Sequence, residues 1–426
     1  MSFGFDFVFP TFGFEFVLFW LLVIGLATIL ISDFTFLPLA LIHDRLQENY
    51  PDPVEYPLVT VIVPAHNEEQ NIGNLLNTLL DQSYSNLEIL VVNDGSTDNT
   101  AQIVKDYRRR GVQLLDLPRP NSGKHAALNY GLTIANGEIV VFMDSDGLVE
   151  RTCITRMVAA MQNPHVYAVA GNVKVANRVS LFTKVQALEY IRDINVPRRA
   201  FDLLDISIVI PGPLGAFRKE YLRTVGSYDS DTVAEDFDTT VKVNKARDGM
   251  LVGIRNVTDA IAYTEAPERI RDLIKQRKRW YGGMTQTVIK HSDRRFVAHA
   301  GTYSTVAVPY IYLTLFAVPL LELVMTSIGL VLSVVTGFVW YIVAFIIYSL
   351  LETLTSLLAL RLDKEDLRLL IYSPLFVLGY RQFLDLIRIY AFYEIFRGQM
   401  KWSRSERYGG MQEKTKSAII QSRTND

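Results

Sequence analysis

At 426 residues the chain is long enough for one ordinary to large domain plus several membrane segments, and a 21% share of charged residues excludes a protein buried wholly in lipid. A formal net charge of −2 excludes the global basicity of a nucleic-acid binder, so no nucleic acid is expected as a partner and any anion site must be local. The single cysteine, Cys153, excludes an internal disulfide and suits a reducing compartment.

Apolar and charged residues are segregated along the chain. Phe16 to Ser32, Thr302 to Leu321 and Leu323 to Leu351 carry no charge. No Lys or Arg precedes the first tract, which reads as a retained anchor and not as a signal peptide. The first basic residue is Arg45, and the middle of the chain is rich in Lys and Arg, so the N-terminus is expected outside and the middle domain in the cytoplasm. The expected organisation is an N-terminal membrane anchor over residues 1–46, a soluble domain over 55–290, interfacial and transmembrane helices over 291–400, and a basic cytoplasmic tail over 401–426.

Within the soluble part, Leu58 to Pro64 is a β-branched run that predicts a buried parallel strand. A helix is expected from Asn67, with Leu75, Leu76, Leu79 and Leu80 as its apolar stripe. Next come a strand over Leu87 to Val92, a turn at Asn93 to Ser96, a helix from about Thr97 to Arg109 and a strand near Val112 to Leu115. A helix near Lys124 to Ala135 and a strand over Glu138 to Met143 complete the series. This β-α-β-α-β alternation predicts a parallel sheet with helices on both faces and ligands beyond the carboxyl ends of its strands. After Trp280 the apolar tract suffices for two spans, with Thr336-Gly337 as the turn between them. The last apolar segment, Leu369 to Phe396, is interrupted by Arg381, Asp385 and Arg388, whose spacing suits either pairing within a span or an interfacial helix.

The chemistry-bearing residues fall at the expected strand ends. Asp144 and Asp146 follow a strand, and two carboxylates two residues apart suit Mg²⁺ or Mn²⁺ beside a diphosphate. Asp94 closes the second strand, where it can accept hydrogen bonds from a base edge, the alternative being an Asx turn. Pro64 and Glu68 end the first strand in the same layer. Lys124 opens a helix, a poor place for a cation unless a phosphate lies near. Glu235-Asp236 lies in an acidic patch with Asp231 and Asp238, and a carboxylate near others has its pKa raised towards use as a general base; Asp236 is the choice for that role. Pro211 to Arg218 has the rigid, side-chain-poor character of a loop pressed against a ring-shaped ligand or of a structural turn. Gln276-Arg277-Lys278-Arg279-Trp280 puts three cations and an indole together, which suits an anionic group and a sugar ring.

These motifs, in this order and with these gaps, resemble the family 2 glycosyltransferases of GT-A fold, and in particular the membrane-embedded processive members with a Gln-x-x-Arg-Trp signature. Glu235-Asp236-Phe237-Asp238, the Gln-Arg-Lys-Arg-Trp form and Lys401-Trp402-Ser403-Arg404 are most similar to poly-β-1,6-N-acetylglucosamine synthases and their relatives. The resemblance implies an α/β GT-A domain, Rossmann-like with a mostly parallel sheet, in the cytoplasm, with N- and C-terminal transmembrane helices in the cell membrane. It implies that Asp94 binds uracil and that Asp144 and Asp146 serve the diphosphate and the Mg²⁺ or Mn²⁺. Asp236 would be the base, with Glu235, Gln276, Arg279 and Trp280 around the acceptor and diphosphate. The expected activity is inverting, processive transfer from a UDP-sugar, foremost UDP-N-acetylglucosamine, to a growing glycan that is passed across the bilayer, with room for an accessory subunit. A non-processive transfer to a lipid or polyprenyl-phosphate acceptor is the alternative, and a nucleotide-sugar-sensing transporter ranks last.

Overall fold

A computed structural model of the chain describes residues 35–46, 50–246, 253–292, 301–336 and 339–398. The expected anchor over Phe16 to Ser32, Gly337 of the expected turn and the basic tail lie outside the described residues. A helix, α1 (residues 35–46), leads into the domain. Its sheet alternates with helices through β1 (Val59–Ala65), α2 (Ile72–Leu80), β2 (Leu87–Asn93), α3 (Thr100–Asp106), β3 (Val112–Asp116), α4 (Lys124–Ile134) and β4 (Ile139–Phe142).

The uninterrupted apolar character of β1 has a direct structural cause: both of its faces are covered. Val59, Val61 and Val63 pack with Leu75, Leu76 and Leu79 of α2, while Ile62, one residue out of step, packs with Ala127, Leu128 and Leu132 of α4. Period-two alternation thus divides one strand between two cores, each fully buried aliphatic side chain contributing about 2 kcal/mol. The helix expected from Asn67 begins later, at Ile72. Asn67 takes a left-handed φ of 52° and the backbone turns through Glu68 and Asn71 first, so the acids there shape a loop and not a helical first turn.

Beyond β4 the chain forms β5 (Leu148–Val149), α5 (Cys153–Met161), β6 (Val166–Val175) and α6 (Leu181–Glu189), then a π-helical stretch, Tyr190–Asn195, that continues into α7 (Val196–Asp202). There follow β7 (Gly215–Arg218), α8 (Lys219–Thr224), α9 (Glu235–Lys245), β8 (Gly253–Thr264) and α10 (Ile270–Lys290). The strand order is β3-β2-β1-β4-β7-β6-β8-β5. The first half is parallel as expected, but β4 pairs with β7, β7 with β6, and β5 with β8 in antiparallel fashion, so the sheet is mixed rather than mostly parallel. Cys153 is a fully buried core residue of α5.

The C-terminal helices are α11 (residues 301–336), α12 (Val339–Leu362) and α13 (Arg381–Phe396). Among the described residues one helical segment, Tyr303–Ser327, is long and apolar enough to cross a membrane by length and composition. The segment expected over Leu369 to Phe396 is not one continuous helix. Gly379, at φ 112°, breaks it just before α13, and the charged residues of α13 turn inward: Arg381 reaches Glu352 at 2.9 Å and Glu322 at 3.5 Å, and Arg388 reaches Asp385 at 3.2 Å. Leu386, Ile389, Tyr390, Tyr393 and Phe396 form the exposed apolar edge of the same helix.

A close helix contact joins α10 to the start of α9. A Cβ at Gly283 would lie 2.3 Å from the Cβ and 2.7 Å from the backbone nitrogen of Ala234, the residue that caps α9. Only glycine allows that approach. Gly283→Ala is expected to push the two helices apart and cost about 2 kcal/mol, read as a lower midpoint in chemical denaturation; an unchanged midpoint would mean that the helices separate freely.

Candidate functional site

The site is assembled where the carboxyl ends of the parallel strands meet the first turn of α9. Asp94 ends β2, and its carboxylate accepts backbone hydrogen bonds from Ser122 and Gly123, both at 2.9 Å. It thereby holds the loop that delivers Lys124 to the start of α4, while each oxygen keeps a second lone pair for a ligand. His66 adds a 2.8 Å contact to the carbonyl of Asp94, and Glu68 is buried nearby, its backbone N–H donating to Thr100. Pro64 lies opposite Val92 in the β1–β2 ladder.

Lys124 is the centre of the constellation. Its ammonium lies 2.6 Å from Asp144 and 3.3 Å from Glu235. A cation at a helix N-terminus is therefore accounted for by two carboxylates in this structure. The strong field of Asp144, Glu235 and Asp236 outweighs burial and raises the Lys124 pKa, so the side chain stays charged. Asp144 and Asp146 lie in the turn after β4, closed by the Gly147 N–H on the carbonyl of Asp144; the strand stops at Phe142, so strand alternation does not govern where these two side chains point. Asp146 is buried and Asp144 partly exposed.

Asp236 accepts hydrogen bonds from the backbone N–H groups of Gly212, at 3.1 Å, and Phe237, at 2.8 Å. Burial is the largest influence on its carboxyl and raises the pKa; Glu235 raises it further, while Lys124 opposes both. Burial thus outranks the neighbouring carboxylates on which the sequence argument rested. A Cβ at Gly212 would lie 3.1 Å from the Lys124 ammonium and 3.2 Å from the Asp236 carboxylate, so the small-residue loop is pressed against the site itself. Asp231 and Asp238 serve elsewhere. With Asp229 they bring carboxylate oxygens within 4.8 Å of one another, but Lys290 contacts all three, Lys242 reaches Asp229 and Asp238, and His291 reaches Asp238. This is an ion-pair staple between α9 and α10.

The basic cluster of α10 divides its labour. Arg277 is 2% exposed, pairs with Glu189 at 2.9 Å and lies 4.2 Å from the centre of the Trp280 ring. Tyr380 donates to the same glutamate at 2.7 Å. Arg277 is therefore not one of the cations open to an anionic ligand, because its charge is consumed inside the protein. Lys278 pairs with Glu394 of α13 at 2.6 Å. Arg279, in contrast, is half-buried and makes no ion pair or hydrogen bond among the described residues. Gln276 is buried with its Oε1 lacking a hydrogen-bond partner. Trp280 offers one face to Arg277 and has Tyr190 at a centroid distance of 6.1 Å.

Two residues near the site went unnoticed in the sequence. Tyr228 is buried, packs edge-on to Phe142, and has its phenol pKa raised by burial and then by Asp236, Glu235 and Asp144, so it remains a neutral donor. Arg198 of α7 is also buried; the doubled arginine within Val196-Pro197-Arg198-Arg199-Ala200-Phe201 is the signal that marks it.

Residues 60–226 match the family model for glycosyl transferase family 2. The chain carries a glycosyl transferase family 2 domain. The matched stretch runs from β1 through α8 and stops short of α9 and α10. Poly-beta-1,6-N-acetyl-D-glucosamine synthase of Staphylococcus epidermidis is 30% identical to the chain over 234 residues, 54% of this chain and 56% of the relative. The synthase of the same name from Staphylococcus aureus is 29% identical over 235 residues, again 54% and 56%. The chain spans about half the length of these curated relatives. Among solved structures, the transferase domain and its C-terminal helices resemble mannosyltransferase PcManGT of Pyrobaculum calidifontis, in complex with GDP-Man and Mn²⁺, with a TM-score of 0.64, 22% identity, and coverage of 89% of this chain and 100% of that one. That likeness establishes a shared GT-A-like fold with a mixed, curled sheet.

Two outcomes follow for the transferase domain. Arg277→Ala would leave Glu189 buried with Tyr380 as its remaining partner and is expected to cost about 3–5 kcal/mol of stability, measured by denaturant titration; a loss below 1 kcal/mol would contradict the buried pairing. In the pH dependence of sugar transfer, a base with a raised pKa loses its proton late, so the acidic limb lies above the ordinary carboxylate range. Glu235→Gln removes a like charge and should move that limb to lower pH, whereas Lys124→Gln removes the opposing cation and should move it higher. Shifts of the same sign in both variants would exclude Asp236 as the titrating group.

Proposed function

We propose that the protein is an inverting, membrane-bound glycosyltransferase that transfers a sugar, foremost N-acetylglucosamine, from its UDP donor onto a growing β-linked polysaccharide. The observation that carries this reading is the contact of one half-buried cation, Lys124, with carboxylates from both halves of the site: Asp144 after β4, and Glu235 at the head of α9 beside the half-buried Asp236. Such an arrangement joins a place for a departing diphosphate to a place for a base. The names of the staphylococcal relatives support the donor and product class.

In this reading Asp236 takes the proton of the acceptor hydroxyl. The hydroxyl oxygen forms the new bond to the anomeric carbon, and the bond from that carbon to the UDP oxygen breaks, its electron pair leaving with the diphosphate. One displacement inverts an α-linked donor to a β-linked product. Lys124 shifts its charge from Asp144 and Glu235 towards the leaving diphosphate, and Arg279, uncompensated within the described residues, supplies a second cation. Asp94 meets the base edge, with Pro64 and Glu68 framing the same pocket wall. Asp144 and Asp146 are oxygen donors of the hard type that Mg²⁺ and Mn²⁺ take, and they would hold the metal; when bound, it offsets charge on the diphosphate. Glu235, Gln276 and Trp280 line the acceptor side in this reading, and the indole, with Arg277 over one face, would meet a sugar ring with the other.

We place the transferase domain, over residues 55–290, on the cytoplasmic side of the cell membrane, with the helices of 291–400 in and on the bilayer. The apolar Tyr303–Ser327 segment and the exposed apolar edge of α13 support this arrangement. Processive growth would draw the product along these helices, and any accessory subunit would act there. The test is UDP release by purified protein with a panel of UDP-sugars and Mg²⁺ or Mn²⁺, followed by size analysis and linkage-specific digestion of the product. UDP-N-acetylglucosamine is the expected donor and long polymer the expected product; a single-sugar lipid product would move the reading to a polyprenyl-phosphate acceptor. Asp236→Asn should lower transfer by 10²-fold or more, and near-normal transfer would remove Asp236 from the role of base.

A further inference from the structure

Arg198 is a buried cation that the proposed reaction leaves unused. It is 8% exposed, and its Nε and Nη1 atoms lack hydrogen-bond partners among the described residues. An uncompensated guanidinium inside a protein is costly, because desolvation removes water without replacing its hydrogen bonds. Its neighbour Arg199 also leaves Nε and Nη1 without partners, but its charge is met by Asp363, 2.6 Å from Nη2. Arg198 has no such sink.

Its position gives the missing partner a location. Phe201, one turn further along α7, belongs to the same buried cluster as Ala234 and Phe237, the residues that bracket Glu235 and Asp236 at the head of α9. Arg198 therefore lies one turn along that packed face, and Asp236 is the charge that acts on it most strongly. Tyr190 acts on it next, and Tyr190 packs beside Trp280. The wide π-helical stretch Tyr190–Asn195 changes the face that α7 presents after α6. One segment, from Tyr190 to Arg198, thus runs between the acceptor-side tryptophan and the candidate base. Lys124, which also acts on Asp236, is itself held by Asp144 at 2.6 Å.

We propose that Arg198 is a positioning residue whose unpaired donors hold the oxygen atoms of the acceptor's terminal sugar beside Asp236, taking no part in holding the UDP donor. This rests on the reading of Asp236 as the base. A pyranose end supplies several hydroxyl and ring oxygens within one guanidinium's reach, and binding would satisfy donors that the folded protein leaves without partners. The site is thereby selective for the acceptor and costly when empty.

The experiment is direct binding by calorimetry to the full-length purified protein, using UDP with Mn²⁺ and, separately, a β-1,6-linked N-acetylglucosamine pentasaccharide in the presence of UDP. Arg198→Met keeps the volume without the charge, and Arg198→Lys keeps the charge without the Nε and Nη1 donors. Both are expected to weaken pentasaccharide affinity at least tenfold with UDP affinity within twofold of the parent, and Arg198→Met should melt at the parent temperature or above it. Unaltered pentasaccharide affinity in both variants would overturn the inference while leaving the transferase reading intact. Parallel loss of UDP and pentasaccharide affinity, or a lowered melting temperature with Arg198→Met, would overturn it in favour of a structural role. Failure of the parent protein to bind UDP would instead overturn the transferase reading beneath it.

Discussion

The contact on which the site depends is the salt bridge between Lys124 and the carboxylates of Asp144 and Glu235. Asp144, Glu235 and Asp236 come from two elements far apart in sequence, and like charges at such proximity repel. Without a cation among them the head of α9 would not settle against the turn after β4. Asp94 fixes the loop before Lys124 through Ser122 and Gly123, so its carboxylate acts on the site at one remove whatever else it binds. The absence of a side chain at Gly212 then lets the loop before β7 pass within contact of both Lys124 and Asp236.

A second constraint ties this cluster to α10. Gly283 allows that helix to touch Ala234 at the backbone, which puts the basic cluster one turn from the acids of α9. Lys290, at the far end of α10, contacts Asp229, Asp231 and Asp238 and fixes the angle between the helices. Three acids of the patch around Asp236 are thereby neutralised by lysine and histidine, which leaves Glu235 and Asp236 as the pair available to a ligand. An acidic run that looks uniform in sequence is partitioned by what packs against it.

The legibility of the sequence follows the range of the interactions involved. The parallel half of the sheet was readable because β1, β2 and β4 are buried on both faces and spell that out in consecutive β-branched residues. The antiparallel half was not, since the direction of β7 and β5 is set by tertiary pairing with β4 and β8 and leaves no periodic mark of its own. Asp94, Lys124, Asp144 and Asp236 could be picked out because each sits at an element boundary. Arg277 could not be told from its neighbours because its partner Glu189 lies 88 residues away, and Tyr380, which shares that glutamate, lies 191 residues from it. No local pattern distinguishes a cation that finds such partners from one that faces solvent. Arg198 and Tyr228 were missed for the same reason.

The buried charges also explain how a transferase domain can be joined firmly to apolar helices. Arg192, in the π-helical stretch before α7, pairs with Glu352 of α12, and Arg381 of α13 shares that glutamate while also reaching Glu322 of α11. Glu352 is fully buried, so the two arginines must both be present for its charge to be tolerated. The π-helical stretch carries this anchor at Arg192 and leads directly to Arg198 beside Asp236. Any displacement of α12 or α13 that pulled on Glu352 would therefore act on the same short segment that borders the candidate base. Apolar packing among these helices is less directional than a shared buried carboxylate, which fixes the position of this segment relative to α12 and α13.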